Sequence, residues 1–345
     1  MPKIDALLRM MIQHNASDLH ICAGEPPVLR IDGSLQRVKY HDLSPDEVEV
    51  LLLELLDSDQ MNVFKERKDI DFAYQIEGMG RFRANVYNER NGYVGAFRLV
   101  PTEIKTMREL MLPESVQSLA RLQSGLVLVT GATGSGKSTT LAAIIDLINK
   151  EQKYHLITLE DPIEFIHSRR KCLIHQREVG LHVRDFSDGL RAALREDPDV
   201  ILVGEMRDLE TIHLALTGAE TGLLVLGTLH TSSAAKTVDR IIDVFPTDQQ
   251  QQVRTMLSES LRGVISQQLL KKKDGNGRVA AVEVMISSLA IQNLIREGKT
   301  YQIESVIQTG KNVGMQSMEE AIRKLAEADL IESEETIPED KEEIA

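Results

Sequence analysis

The sequence predicts a smaller α+β domain followed by an α/β domain built on a mostly parallel sheet. Three observations carry this. The chain has 345 residues, more than one ordinary core organises. From about Pro113, short apolar stretches of strand length alternate with helical ones. One of those stretches runs directly into a glycine-rich loop.

In order, the first hundred residues open with an amphipathic helix that puts Ile4, Leu7, Leu8 and Met11 on one face. The stretches "SDLHI" and "VLRIDGSLQRVKY" read as extended, with Asp32-Gly33 signalling a hairpin turn. In "SPDEVEVLLLELL", Ser44 is the expected N-cap, Pro45 the first helical residue and Glu47 the partner of a capping box. Three extended stretches follow, "DIDFAYQI", "GRFRANVYNE" and "GYVGAFRLV", the last two separated by Asn91-Gly92. Helix, hairpin, helix and meander make an α+β domain over residues 1–100, and the segment 101–112 reads as a linker.

Residues 113–330 form the α/β domain. "LVLVT", "HLITLE", "CLIHQ", "VILVG" and "LLVLGT" are candidates for strands buried on both faces. The stretch "DQQQQVRTMLSESLRGVISQQLL" reads as helix, followed by a hairpin around "KKDGNGR" and three short helices.

Composition bounds the function. The net charge is −13, of which −8 comes from nine acids and one lysine beyond Ala326. The segment 331–345 is therefore expected to be an acidic, disordered tail. The remaining −5, with 4% aromatic residues, offers little to nucleic acid. Two distant cysteines make neither a disulfide framework nor a four-thiolate zinc site, and the apolar runs are too short to span a membrane. With no signal-peptide pattern at the N-terminus, a cytoplasmic protein is expected.

"GATGSGKST" supplies Gly131, Ala132, Thr133, Gly134, Ser135, Gly136, Lys137, Ser138 and Thr139 in the G-x-x-x-x-G-K-[ST] pattern, between a strand and a helix. Its backbone N–H groups and the helix N-terminus can cradle phosphates. Lys137 would reach the β- and γ-phosphates, and the Ser138 hydroxyl would ligate magnesium. ATP or GTP binding follows. Two acidic clusters end neighbouring strands: Glu160, Asp161 and Glu164 in "ITLEDPIEF", and Glu205 in "VILVGE". Parallel strands end on one edge, so these acids can converge on the nucleotide. They can hold magnesium through its waters or take a proton from the attacking water. His230, at the end of "LLVLGTLHT", lies on the same edge and could sense the γ-phosphate.

Together, "GATGSGKST", "ITLEDPIEF", "ALREDPDVILVGEMRD" and "TGLLVLGTLHTSSAAKTVDRI" resemble the Walker A, Asp box, Walker B and His box of the secretion-type ATPases. These are the hexameric motors of type II secretion and type IV pili. The likeness extends through "ASDLHICAGEPPVLRIDG", "GRFRANVYNERNG", "AIQNLIREGK" and "IQTGKNVGMQSMEEAI", over almost the whole chain, and is strongest to the pilus-retraction branch. Two cysteines cannot supply the four-cysteine zinc insertion usual in assembly relatives. Gln292 departs from the branch, which usually has arginine there.

The resemblance implies a PAS-like N-terminal domain, a RecA-like P-loop NTPase domain, a homohexamer, ATP and Mg2+. It implies that Glu205 organises magnesium and that Glu164 polarises water, with Glu160 the second candidate. Arg83 and Arg98, on the last strands of the N-terminal domain, would reach nucleotide phosphates. The implied function is an ATPase motor for type IV pilus retraction and twitching motility, peripheral at the inner-membrane pilus base. Its partners would be the platform protein and a paralogous pilus ATPase, with no nucleic acid. An accessory retraction ATPase is the alternative within the family. A RecA-like nucleic-acid translocase and a non-hydrolysing nucleotide switch are alternatives of other classes; DNA-stimulated hydrolysis, or tight binding without phosphate release, would distinguish them.

Overall fold

The structure, a computed structural model, describes residues 2–31, 33–100, 103–275 and 277–332. Asp32 of the hairpin signal, Pro101 of the linker, and all of the acidic tail except Ile331 and Glu332 lie outside the described residues. The chain divides into two compact units, Met1–Glu103 and Ile104–Ala345.

In the first unit, helix α1 (Ile4–Gln13) buries Ile4, Leu7, Leu8 and Met11, the stripe that its periodicity demands. Strands β1 (Asp18–Cys22), β2 (Val28–Ile31) and β3 (Ser34–Arg37) follow. Helix α2 (Pro45–Leu53) starts at a reciprocal capping box between Ser44 and Glu47. Helix α3 (Ser58–Arg67) is absent from the sequence reading above. A second capping box starts it: Asp57 accepts from the N–H groups of Asp59 and Gln60, and the Gln60 side chain accepts from the Asp57 N–H. Its weak apolar content hides it, because only Phe64 is buried. Strands β4 (Asp69–Ile76), β5 (Gly80–Glu89) and β6 (Gly92–Val100) complete a sheet ordered β3-β2-β1-β6-β5-β4. Each of its pairings is antiparallel. Strand alternation sends Phe82, Ala84 and Val86 into the core and leaves Arg83 outside.

The second unit contains α4 (Glu114–Ala120), β7 (Gly125–Thr130), α5 (Lys137–Glu151), β8 (His155–Glu160), β9 (Leu173–Glu178), α6 (Phe186–Ala193) and β10 (Val200–Val203). There follow α7 (Leu209–Glu220), β11 (Leu224–Leu229), α8 (Ala234–Asp243), α9 (Gln250–Ser260), β12 (Leu261–Lys271) and β13 (Arg278–Ile286). Helices α10 (Leu289–Arg296), α11 (Ile303–Thr309) and α12 (Met318–Glu327) come last. The sheet order is β13-β12-β7-β11-β10-β8-β9, parallel except where β13 returns along β12. Both faces are covered. One face packs on Leu190, Ile212, Val238 and Leu257 from α6 to α9, the other on Val116, Leu119, Ile144 and Ile148 from α4 and α5.

The long helix expected over "DQQQQVRTMLSESLRGVISQQLL" is corrected: helix stops at Ser260, and Leu261–Lys271 is a strand. Val253, Leu257, Leu261 and Val264 continue a helical spacing across the junction, which is why the pattern misleads. Tertiary pairing decides the outcome. Strand β12 gains ladder partners on both sides, β7 and β13, and places Val264 and Ile265 where branched side chains pack well.

Candidate active site

Strand β7 is buried throughout and delivers the chain to Gly131 at the sheet edge. The loop turns over Ala132, Thr133 and Gly134, all exposed, and α5 begins at Lys137. Two glycines are obligatory for one reason. Gly131 (φ +145°) and Gly136 (φ +88°) lie against Gln267 of β12, where an added Cβ would meet its carbonyl oxygen at 2.2 Å and its Nε2 at 2.7 Å. Gln267 in turn braces the loop: its Nε2 donates to the Ser135 carbonyl (2.6 Å), and its Oε1 accepts from Thr140 Oγ1 (2.8 Å). Sequence reasoning missed Gln267. Its signal is a polar run, Ser266-Gln267-Gln268, between the apolar residues Val264-Ile265 and Leu269-Leu270.

Lys137 Nζ folds back to donate to the carbonyls of Gly131 (2.8 Å) and Ala132 (3.0 Å). Burial lowers its pKa, while Glu205 and Glu164 oppose that shift. Strands β8, β10, β11 and β7 run parallel, so their carboxyl ends bring the other candidates to the same edge. His230 stands between the lysine and the acid, with Nδ1 3.4 Å from Lys137 Nζ and Nε2 3.1 Å from Glu205 Oε1. The neutral tautomer protonated at Nε2 satisfies both contacts, accepting from the ammonium and donating to the carboxylate. Arg207 Nε also donates to Glu205. Arg207 is a second residue the motif reading passed over, although it lies two positions beyond Glu205.

In "ITLEDPIEF", Glu160 and Glu164 have different surroundings. Glu160 accepts from Thr158 Oγ1 (2.6 Å) and Gln176 Nε2 (3.0 Å), and the Glu164 N–H nearby favours its charged form. Burial raises its pKa, against these hydrogen bonds. Glu164 is exposed and close enough to Lys137 for its charge to act there. An open cleft of about 590 Å³ is lined by Thr133, Glu205, Arg207, Leu229, His230 and Arg240.

Arg83 and Arg98 belong to the first unit, where they are directly opposite each other across β5 and β6. Arg83 forms a forked pair with Asp71 (2.6 and 3.3 Å), and Arg98 Nε donates to Asp18 (2.8 Å). Both guanidinium groups are largely exposed.

The residues fit a bound nucleotide. The buried Ser135 Oγ has no hydrogen-bond partner, and a partly desolvated lysine is curled onto its own loop where phosphate oxygens would serve it better. Ser138 and Thr139 are half-buried on the first turn of α5. No group of three or more His, Cys, Asp or Glu among the described residues could hold a metal alone.

Sheet order, loop and convergent strand ends define a RecA-like P-loop nucleotide-binding protein. A family model for type II/IV secretion system proteins matches residues 1–336, and the chain belongs to that family. It is 51% identical over 331 residues to the type IV pilus retraction ATPase PilT of Pseudomonas aeruginosa, covering 96% of both chains. To the type IV pilus ATPase PilU of the same organism it is 40% identical over 323 residues, 94% of this chain and 85% of that one. The crystal structure of the pilus retraction motor PilT with bound ADP matches with a TM-score of 0.92 at 47% identity, over 99% of this chain and 98% of the other.

Proposed function

We propose that the chain is an ATP-hydrolysing motor of type IV pilus retraction. The observation that carries the enzymatic half is the contact line Lys137–His230–Glu205, which spans the phosphate loop and the end of β10. The retraction half rests on full-length likeness to PilT, greater than that to PilU.

In the mechanism we assign, the oxygen of a water attacks the γ-phosphorus in line and forms the new P–O bond. The bond to the β–γ bridging oxygen breaks, ADP leaves with its electron pair, and the water proton passes to a carboxylate. Glu164 orients that water, because it is exposed and near Lys137, whereas Glu160 already accepts from Thr158 and Gln176. Magnesium held by Ser138 and, through water, by Glu205 would neutralise the β- and γ-phosphate oxygens. Lys137 and the loop N–H groups bind the same oxygens. His230 registers loss of the γ-phosphate through its contact with Lys137. Arg83 and Arg98, on the resemblance to related motors, are assigned to neutralising nucleotide phosphate charge.

The reading extends to a homohexamer with a PAS-like N-terminal domain, at the cytoplasmic face of the inner membrane, on a platform protein and beside a paralogous ATPase. No helix of the described residues is long and apolar enough to cross a membrane. Phosphate release from ATP by the full chain tests the enzymatic half. Release that needs magnesium and ignores single-stranded DNA is expected. Nucleotide binding without release would favour a switch, and DNA stimulation a translocase.

A further inference from the structure

Strand β13 reads "RVAAVEVMI", and one residue does not suit it. Glu283 is 6% exposed between Val282 and Val284, and no Lys or Arg among the described residues pairs with it. A buried carboxylate costs stability that a valine there would not. Burial raises its pKa accordingly.

Its partners explain the choice. The N–H of Ala234, the first residue of α8, donates to Glu283 Oε1 at 2.7 Å. The N–H of Met318, the first residue of α12, and the Ser266 hydroxyl lie close to the same carboxylate and favour its charged form. Two helix N-termini thus share one anion, which suits their positive ends. Ser266 is the cross-strand neighbour of Glu283 on β12, and Thr130 is the neighbour of Ser266 on β7. Thr130 Oγ1 donates to Ser266 Oγ at 3.0 Å, and both side chains are fully buried. Thr130 is the last residue before the phosphate loop. Helix α8 follows the His230 turn and carries Arg240 into the nucleotide cleft.

We propose that Glu283 is a positioning residue for hydrolysis: through Ser266 and Thr130 it registers the His230–Arg240 segment against the phosphate loop, and through Met318 it ties α12 to the same point. This rests on the ATPase reading of the site. A carboxylate is required because it can accept from both helix N-termini and from Ser266 at once. Glutamine keeps the volume but turns one end into a donor facing an N–H. The phosphates would still bind, since the loop keeps Lys137 and Gln267. What is lost is the register of groups that act on the γ-phosphate.

The test measures kcat and KM for ATP, and Kd for fluorescent ADP, on the full chain carrying Glu283→Gln or Ser266→Ala. The expected result is a fall in kcat of about tenfold for Glu283→Gln and about threefold for Ser266→Ala, with Kd within about twofold of wild type. Wild-type kcat in both variants overturns the proposal, and so does loss of kcat and Kd in parallel, which marks a collapsed site. If Glu283→Gln does not fold, Ser266→Ala decides alone by the same criteria. Failure of the wild type to bind ADP would instead overturn the reading of the site, and the proposal with it.

Discussion

Glu205 receives Arg207 and His230 on the same carboxylate oxygen. On the mechanism assigned above, Glu205→Ala lowers kcat by about a hundredfold, with Kd for ADP changed much less. Lys137→Ala abolishes turnover and weakens ADP binding as well. Wild-type turnover in either variant would remove that residue from the mechanism. A second residue-scale prediction concerns His167, just beyond the Asp box. Burial lowers its pKa from 6.5 to about 4, and its Nδ1 has no hydrogen-bond partner. The folded state therefore holds it neutral. Below pH 6.5 the unfolded chain binds a proton that the folded chain refuses, so stability falls as pH drops from 6.5 toward about 4. His167→Phe should flatten the dependence of Tm on pH over that window; an unchanged slope would contradict it. The residues of the phosphate loop were legible because their chemistry is local: a strand, two tight glycines, a lysine and a helix. Gln267 and Glu283 were not, because their partners are distant in sequence, 132 residues for Ser135 and 49 for Ala234, and appear only once β12 and β13 are placed in the sheet.

At the scale of elements, the sequence pattern was read correctly in α1 and in β7, β8, β10 and β11; β9, also expected to be buried on both faces, is an edge strand with Leu173 and His175 exposed. The pattern failed at α9–β12, where a helical spacing of apolar residues continues into a strand that only its ladder partners define. That boundary gives a prediction. Gly263 lies one residue after the register shift between β12 and β7, and an added Cβ would stand 2.6 Å from Leu119 Cδ1 of α4. Gly263→Val should therefore cost about 2 kcal/mol through overpacking despite the higher strand propensity of valine. A gain in chemical-denaturation stability would mean that α4 yields without cost. Gln267→Ala tests the brace from the same strand. It removes a donor to the Ser135 carbonyl and an acceptor for Thr140 Oγ1, and should weaken ADP binding about tenfold. Unchanged affinity would show that the loop holds its shape unaided.

For the whole molecule, the central claim is that a RecA-like ATPase drives pilus retraction. It joins the chemistry at one sheet edge to full-length likeness to a retraction motor. Gln292, which lies where the retraction branch usually has arginine, is half-buried on α10 and donates to Ser287 Oγ at 3.5 Å. The most direct measurement counts surface pili and surface motility in host cells deleted for the gene, then complemented with wild type or Glu205→Ala. The account predicts many pili and no motility, restored by wild type alone. Cells without pili, or with unchanged pili and motility, would contradict it.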